Sequence, residues 1–225
     1  MGMRRLLDAI KYAWIDRKLQ KQVKEEYYSD LEFAKIDKAL LTAYIFKNPY
    51  TISKNYLKKH HDREIHTYGE TSLKTYERIA KECELKDTDT FLELGSGRGR
   101  GALFLQHFFH CAVVGIERIP QFVKLSRHLA HKHHLEKVSF ICADMLHANI
   151  PEATIIYLYG TCLKDQEITA LVDRLKTFPK GTKIISISYP LTDYDENVFR
   201  IGKSFPVSFP WGETDAYLQT IKGDL

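Results

Sequence analysis

From about residue 70 onward, short apolar runs alternate with amphipathic segments, and few folds accept that order. "TFLEL", "AVVGIE", "VSFICAD", "ATIIYLYG" and "TKIISISYPL" read as strands. "TSLKTYERIAKECEL", "GRGALFLQHFF", "PQFVKLSRHLAHKHHL" and "KDQEITALVDRLKTF" read as helices, the first opening on a Thr-Ser cap and the third with Pro120 in its first turn. Strands joined through helices pair in parallel, and their crossovers are right-handed. The tail "VFRIGKSFPVSFPWGETDAYLQTIK" lacks a helical segment and reads as two strands joined around "PWGE". The predicted fold is therefore α/β: a Rossmann-like, doubly wound, mostly parallel sheet of seven strands with one antiparallel edge strand.

Residues 1–60 differ from the domain predicted over 61–225 and read as an N-terminal helical extension. Glycine is nearly absent, and Leu6, Leu7, Ile10 and Trp14, like Leu31, Ala34, Leu41 and Ile45, recur at helical spacing. Two or three helices are predicted, ending near "KNPYT", where Pro49 discourages continuation. The basic "KNYLKKHHDREIH" then reads as a solvated connector, with an acidic partner or nucleic acid as the alternative. Docked beside the ligand mouth, the extension would act as a lid; packed elsewhere, it would only stabilise.

Composition excludes little else. The net charge of +4 is mild and demands no acidic partner. "FAKIDKALLTAYIF" carries Lys35, Asp37 and Lys38 and cannot span a bilayer, and no signal-peptide pattern opens the sequence. Cys83, Cys111, Cys142 and Cys162 are scattered and read as reduced, buried small hydrophobes, which favours a cytoplasmic location. His128, His131, His133 and His134 have no neighbouring carboxylate or cysteine in sequence, so a solvated helix end is expected rather than a metal site.

Ligands of such sheets bind outside the carboxyl ends of the strands. "FLELGSGRGRG" supplies the turn after strand one, where Gly95, Ser96, Gly97 and Gly99 leave the backbone open to a ligand at a helix start. Glu93, inside the strand, would repel a pyrophosphate but attract an ammonium, which favours S-adenosylmethionine over a dinucleotide. Glu117, ending the second strand, suits ribose hydroxyls. Asp144 and the Met145 amide, ending the third, suit the adenine amine and ring.

These residues resemble those of class I, seven-strand S-adenosylmethionine-dependent methyltransferases, over residues 65–225. "TYGETSLKTYERIAKE" resembles the cofactor loop of the disruptor-of-telomeric-silencing histone-lysine methyltransferases. That resemblance implies cofactor contacts from Tyr68, Gly69, Glu70 and Thr71. The family usually has Asp at Glu93, and an Asn-Asn-Phe stretch where this sequence has Tyr159, Gly160 and Thr161. The glycine loop is also similar to that of the ATP-synthase c-subunit lysine methyltransferases, which carry a membrane segment that this sequence does not show.

The resemblance implies transfer of a methyl group, most naturally to lysine on a protein substrate. Tyr157, Tyr159 and Tyr189 are expected to line an aromatic channel that disfavours an ammonium. Tyr159 and Thr161 are the candidate catalytic residues, Thr161 orienting the amine. A small-molecule or RNA substrate, or a cofactor-binding module without catalysis, are the alternatives. Arg98 and Arg100 face either an acidic substrate or Glu70.

Overall fold

The structure is a computed structural model that describes residues 15, 17–62 and 68–222. Three helices come first: α1 (17–27), α2 (Leu31–Ala43) and α3 (Pro49–Lys59). The alternating part follows as α4 (Leu73–Glu82), β1 (Thr90–Leu94), α5 (Arg100–Phe109), β2 (Ala112–Glu117), α6 (Pro120–Lys132), β3 (Val138–Cys142) and β4 (Ile155–Leu158). It ends with α7 (Asp165–Leu175), β5 (Lys183–Ile187), β6 (Phe199–Phe209) and β7 (Gly212–Ile221). The strands form one sheet in the order β3-β2-β1-β4-β5-β7-β6. The predicted seven-stranded, mostly parallel sheet is present. Its antiparallel strand is β7, second from the edge, because the chain runs out along β6 and returns between β6 and β5.

The order reverses at β1, which pairs in parallel with β2 on one side and, through Phe91–Leu94, with Ile155–Leu158 of β4 on the other. Period-two alternation splits the strands' side chains between two cores. Leu92, Leu94, Ile156 and Leu158 pack with α7 on one face. Phe91, Val113, Ile155 and Tyr157 pack with α4, α5 and α6 on the other.

The N-terminal helices belong to that second core. Tyr27 and Phe33 meet Phe104 of α5 with ring centroids 5.1 and 5.6 Å apart, both edge-on. Beside them Arg100, opening α5, makes two hydrogen bonds of 2.7 Å to the buried Asp37 of α2. The cluster Leu6, Leu7, Ile10 and Trp14 lies outside the described residues.

Two local expectations are corrected. Pro49 does not mark the end of the helical extension; it occupies the first turn of α3, where its missing N–H costs nothing, and the Asn48 side chain caps the Tyr50 amide at 2.8 Å. The supposed connector thus begins as helix through Lys59. Cys83 and Cys111 are buried, but Cys142 and Cys162 are exposed, since both sit at strand ends or turns rather than inside the core; all four are free thiols. Among the described residues, no helix is long and apolar enough to cross a membrane, and no His/Cys/Asp/Glu group is arranged to hold a metal.

Removing one member of a buried ion pair strands the other, at about 3–5 kcal/mol. We expect Asp37→Ala to lose stability of that order in urea unfolding, because it also removes the acceptor of Tyr28 Oη. Lys35→Ala, exposed on the same helix, should stay within about 0.5 kcal/mol of the wild type. Equal effects from the two changes would show that the Asp37–Arg100 pair does not anchor the extension.

Candidate functional site

A cleft of about 380 Å³ opens over the carboxyl ends of β1, β2 and β4. The glycine loop forms its floor because the amides of Gly95 and Ser96 both donate to Ile116 O, at 2.9 and 3.0 Å, hooking the loop over β2. Gly95 (φ +86°) has nothing within 4 Å of where a Cβ would stand. It is open to a ligand and in a backbone region that L side chains rarely adopt. Gly99 is different: a Cβ there would lie 2.6 Å from the Phe140 ring and 2.8 Å from Ser126 Oγ. Its bareness serves packing at the start of α5. A smaller chamber of about 30 Å³ adjoins the cleft, sharing Gly69, Gly95, Gly97 and Tyr159 as walls.

Glu93 lines that chamber. It is 2% exposed; one carboxylate oxygen accepts from Tyr76 Oη, and the other is buried without a hydrogen-bond partner. The Tyr76 ring reaches it only because Gly101 is bare: a Cβ there would stand 2.1 Å from the ring. Burial pushes the Glu93 carboxyl up to about 8; the Tyr76 hydrogen bond opposes this and the nearby Glu117 adds to it. Ser96 Oγ is likewise buried and partnerless. A buried acceptor normally has its partner. This pair of orphans fits a cationic, hydrogen-bonding ligand end.

Glu117 and Asp144 stand along the same cleft. Glu117 accepts from the amides of Gly97 and Ile119, each at 2.8 Å. Burial pushes its carboxyl up, and those two amides work against the shift. Asp144 Oδ1 accepts from the Leu146 amide at 2.9 Å, and the Met145 carbonyl accepts from Arg174 at 2.6 Å, which fixes the turn after β3.

The Tyr68–Thr71 segment is locked onto the loop from above. Glu70 receives Arg98 through two hydrogen bonds of 2.5 and 2.6 Å, and also accepts from Tyr68 Oη. Burial alone would push the Glu70 carboxyl up, but Arg98 holds it below the ordinary value. The Arg98 guanidinium lies 4.8 Å from the Tyr44 ring centroid. The open choice for the two arginines is thereby made: Arg98 pairs with Glu70, Arg100 with Asp37. Glu70 spends its charge on Arg98 and holds Tyr68 against Gly97, where a Cβ would meet the ring at 3.4 Å.

The expected aromatic channel is narrower than the sequence implied. Tyr157 is buried in the core, hydrogen-bonded to Thr71 Oγ1 at 2.7 Å, and lines neither chamber. Tyr159 lines both. Thr161 is exposed on the turn after β4, outside the lining of the cleft, while its neighbours Gly160 and Cys162 are part of it. Tyr189 donates to Gly160 O at 3.2 Å, bracing that turn. Trp211 was missed: from the β6–β7 turn its Nε1–H donates to Tyr159 Oη at 2.6 Å, and its ring stacks on Phe209. A tryptophan in the hairpin turn "PWGE", half exposed, was the available signal.

Residues 93–197 match the family model described as the ANTKMT methyltransferase domain. No curated protein matches this sequence. Among solved structures, an RNA methyltransferase from Salinibacter ruber in complex with S-adenosyl-L-homocysteine is 25% identical. The similarity covers 68% of this chain and 93% of that one, with a TM-score of 0.57. MtNAS in complex with MTA and tNA is 16% identical over 99% of this chain and 89% of its own, at a TM-score of 0.59. TrmN from Thermus thermophilus is 15% identical over 65% of this chain and 48% of its own, at 0.58. The latter two likenesses concern the fold.

The Glu93 shift has a sign that can be checked. Its folded value, about 8, exceeds the ordinary 4.5 of the unfolded chain. Between those values the folded state holds a proton that the unfolded state has lost, so stability falls as pH rises through that window. Glu117, shifted the same way, contributes in the same direction. Glu93→Gln should flatten the slope of unfolding free energy across this range without abolishing it; an unchanged slope would place the titration elsewhere. A second expectation concerns Glu70→Ala, which strands Arg98 and should cost about 3–5 kcal/mol. Thermal melts of Glu70→Ala and of Arg98→Met with Glu70→Ala together would separate the stranded charge from the lost contact, since the double change should recover part of the loss.

Proposed function

We propose that this chain, whose fold is that of class I S-adenosylmethionine-dependent methyltransferases, methylates a lysine side chain of a protein, in the manner of the histone-lysine methyltransferases it resembles. The observation that carries the cofactor is the buried, partnerless oxygen of Glu93 beside the open Gly95. A carboxylate of that kind matches the ammonium of the cofactor's amino-acid end and has no use for a pyrophosphate. In this reading Glu117, held by two amides, takes the ribose hydroxyls, and Asp144 with Met145 takes the adenine.

When bound, S-adenosylmethionine supplies a methyl group already activated on sulfur. The chain's own task is alignment, exclusion of water and a neutral acceptor. A lysine amine with an ordinary value of about 10.4 must lose its proton before it attacks. Tyr159, backed by Phe209, is the aromatic ring that lines the site, and an aromatic surface there disfavours a hydrated ammonium. The Trp211–Tyr159 hydrogen bond commits the Trp211 N–H and leaves a lone pair of the phenol oxygen to accept from an amine N–H, so that the amine's own lone pair faces the methyl. Thr161, exposed, has no part in this reading. The ANTKMT methyltransferase match supports the transfer reaction, and the Salinibacter ruber relative keeps RNA as the second reading.

Two measurements decide it. Calorimetric titration with S-adenosylmethionine should give binding that Glu117→Ala weakens at least about tenfold, the usual loss for hydrogen bonds to a charged group. Below pH 8 binding should also release a proton, because an ammonium beside Glu93 drives its carboxyl to ionise; heats in buffers of different ionisation enthalpy report it. No binding, or affinity indifferent to Glu117, would overturn the cofactor assignment. Transfer of labelled methyl into lysate identifies the acceptor. Label removed by protease but not by nuclease or dialysis supports a protein. Loss to nuclease would assign RNA, loss on dialysis a small metabolite, and no transfer despite binding a non-catalytic module.

A further inference from the structure

The corner between α2 and α3 takes no part in the chemistry above, yet its surface is unlike the rest. Within the six residues 45–50, Phe46 is 96% exposed, Ile45 65% and Tyr50 53%. Single exposed apolar residues need no account, but a projecting group of three does. Its electrostatic setting is one-sided. From Lys38 to His61 the chain carries five lysines (38, 47, 54, 58 and 59) and no aspartate or glutamate. The flanking acids are engaged: Asp37 pairs with Arg100 and Asp62 with Arg118.

Helical spacing organises the group. Tyr50, Lys54 and Lys58 recur every fourth residue and so run along one stripe of α3. Ser53 and Leu57, on the adjoining stripe, are buried and line the cleft. The basic stripe therefore borders the mouth of the site, and the Tyr50 ring meets the Tyr68 ring edge-on at 5.2 Å.

We infer that this corner docks on an anionic lipid surface, with Phe46 and Ile45 entering the interfacial layer and the lysines meeting lipid phosphates. A nucleic acid would use the lysines and leave an aliphatic and an aromatic side chain in water. An apolar protein groove would take Phe46 and Ile45 and leave the lysines, which pair with no acidic side chain among the described residues, without counter-charge. An anionic bilayer offers both, with charge at its face and hydrocarbon beneath. Docked this way, α3 brings the cleft to the lipid boundary, where an acceptor at a membrane would be met. The surface itself stands whether or not methyl transfer is the reaction.

Co-sedimentation of the full chain tests it, using phosphatidylcholine vesicles and vesicles in which part of the lipid is phosphatidylglycerol. The expected result is binding to the anionic vesicles alone, weakened by added salt. Phe46→Ser should lower the affinity about tenfold or more, through the lost apolar burial. Lys47→Gln and Lys58→Gln, both exposed, should each lower it about fivefold. Because these side chains pack against little, unchanged melting curves are expected and would show that the variants fold. Absence of binding, equal binding to both vesicle types, or full binding by Phe46→Ser overturns the inference. So does vesicle-independent binding of an RNA duplex that Phe46→Ser leaves intact, which would assign the lysines to nucleic acid. Self-association lost in Phe46→Ser without vesicle binding would make the corner an interface between copies.

Discussion

Two guanidinium groups, two residues apart in the glycine loop, fasten the site to everything around it. Arg98 reaches up to Glu70 and over the Tyr44 ring; Arg100 reaches sideways to Asp37. A loop rich in glycine has a large conformational entropy to lose, and backbone contacts to Ile116 alone tie down only one end of it. The Gly97 amide on Glu117, Ser126 Oγ–H on the Arg98 carbonyl and the ion pairs supply the rest. Buried pairs of this sort contribute little net stability over apolar replacements, because desolvation offsets most of the Coulombic gain. Their value here is positional: one fixes the loop to the Tyr68–Thr71 segment, the other fixes the start of α5 to α2.

That arrangement makes the N-terminal helices part of the site rather than an attachment to it. Tyr44 on the residue capping α2 lies under Arg98, α3 forms a wall of the cleft, and Asp37 holds the start of α5. A disturbance at any of these points reaches the floor on which Glu93 and Glu117 converge. The extension packs into the second core, and its α3 also lines the cleft.

The sheet was legible because period-two and period-3.6 patterns are local, and because glycine and acidic residues at strand ends announce a ligand edge. Glu93, Gly95, Gly97, Glu117, Asp144 and Met145 line the cleft or its adjoining chamber for that reason. What was not legible depends on partners far along the chain. Pro49 reads equally as the stop of one helix or the first turn of the next, and the Asn48 cap decides between them. Tyr157 and Tyr159 share a side of the strand, but Thr71 claims one and Trp211 the other across separations no local pattern encodes. Thr161 lies only two residues beyond Tyr159, yet the turn at Gly160 carries it out to solvent.

The position of β7 bears on how such a chain leaves the ribosome. β7 follows β6 in sequence but lies inside the sheet, so β6 has no strand to pair with until β7 has emerged. Over that interval β5 ends the growing sheet with its hydrogen-bonding groups open, which is the kind of edge that recruits foreign strands. Val207 and Phe209, buried once β6 is seated, would meanwhile be available to chaperones. Native β6 keeps a trace of the same hazard and a defence against it: a register irregularity between Ile201 and Lys203, with Arg200 and Lys203 nearby, discourages a further strand from continuing the ladder outward.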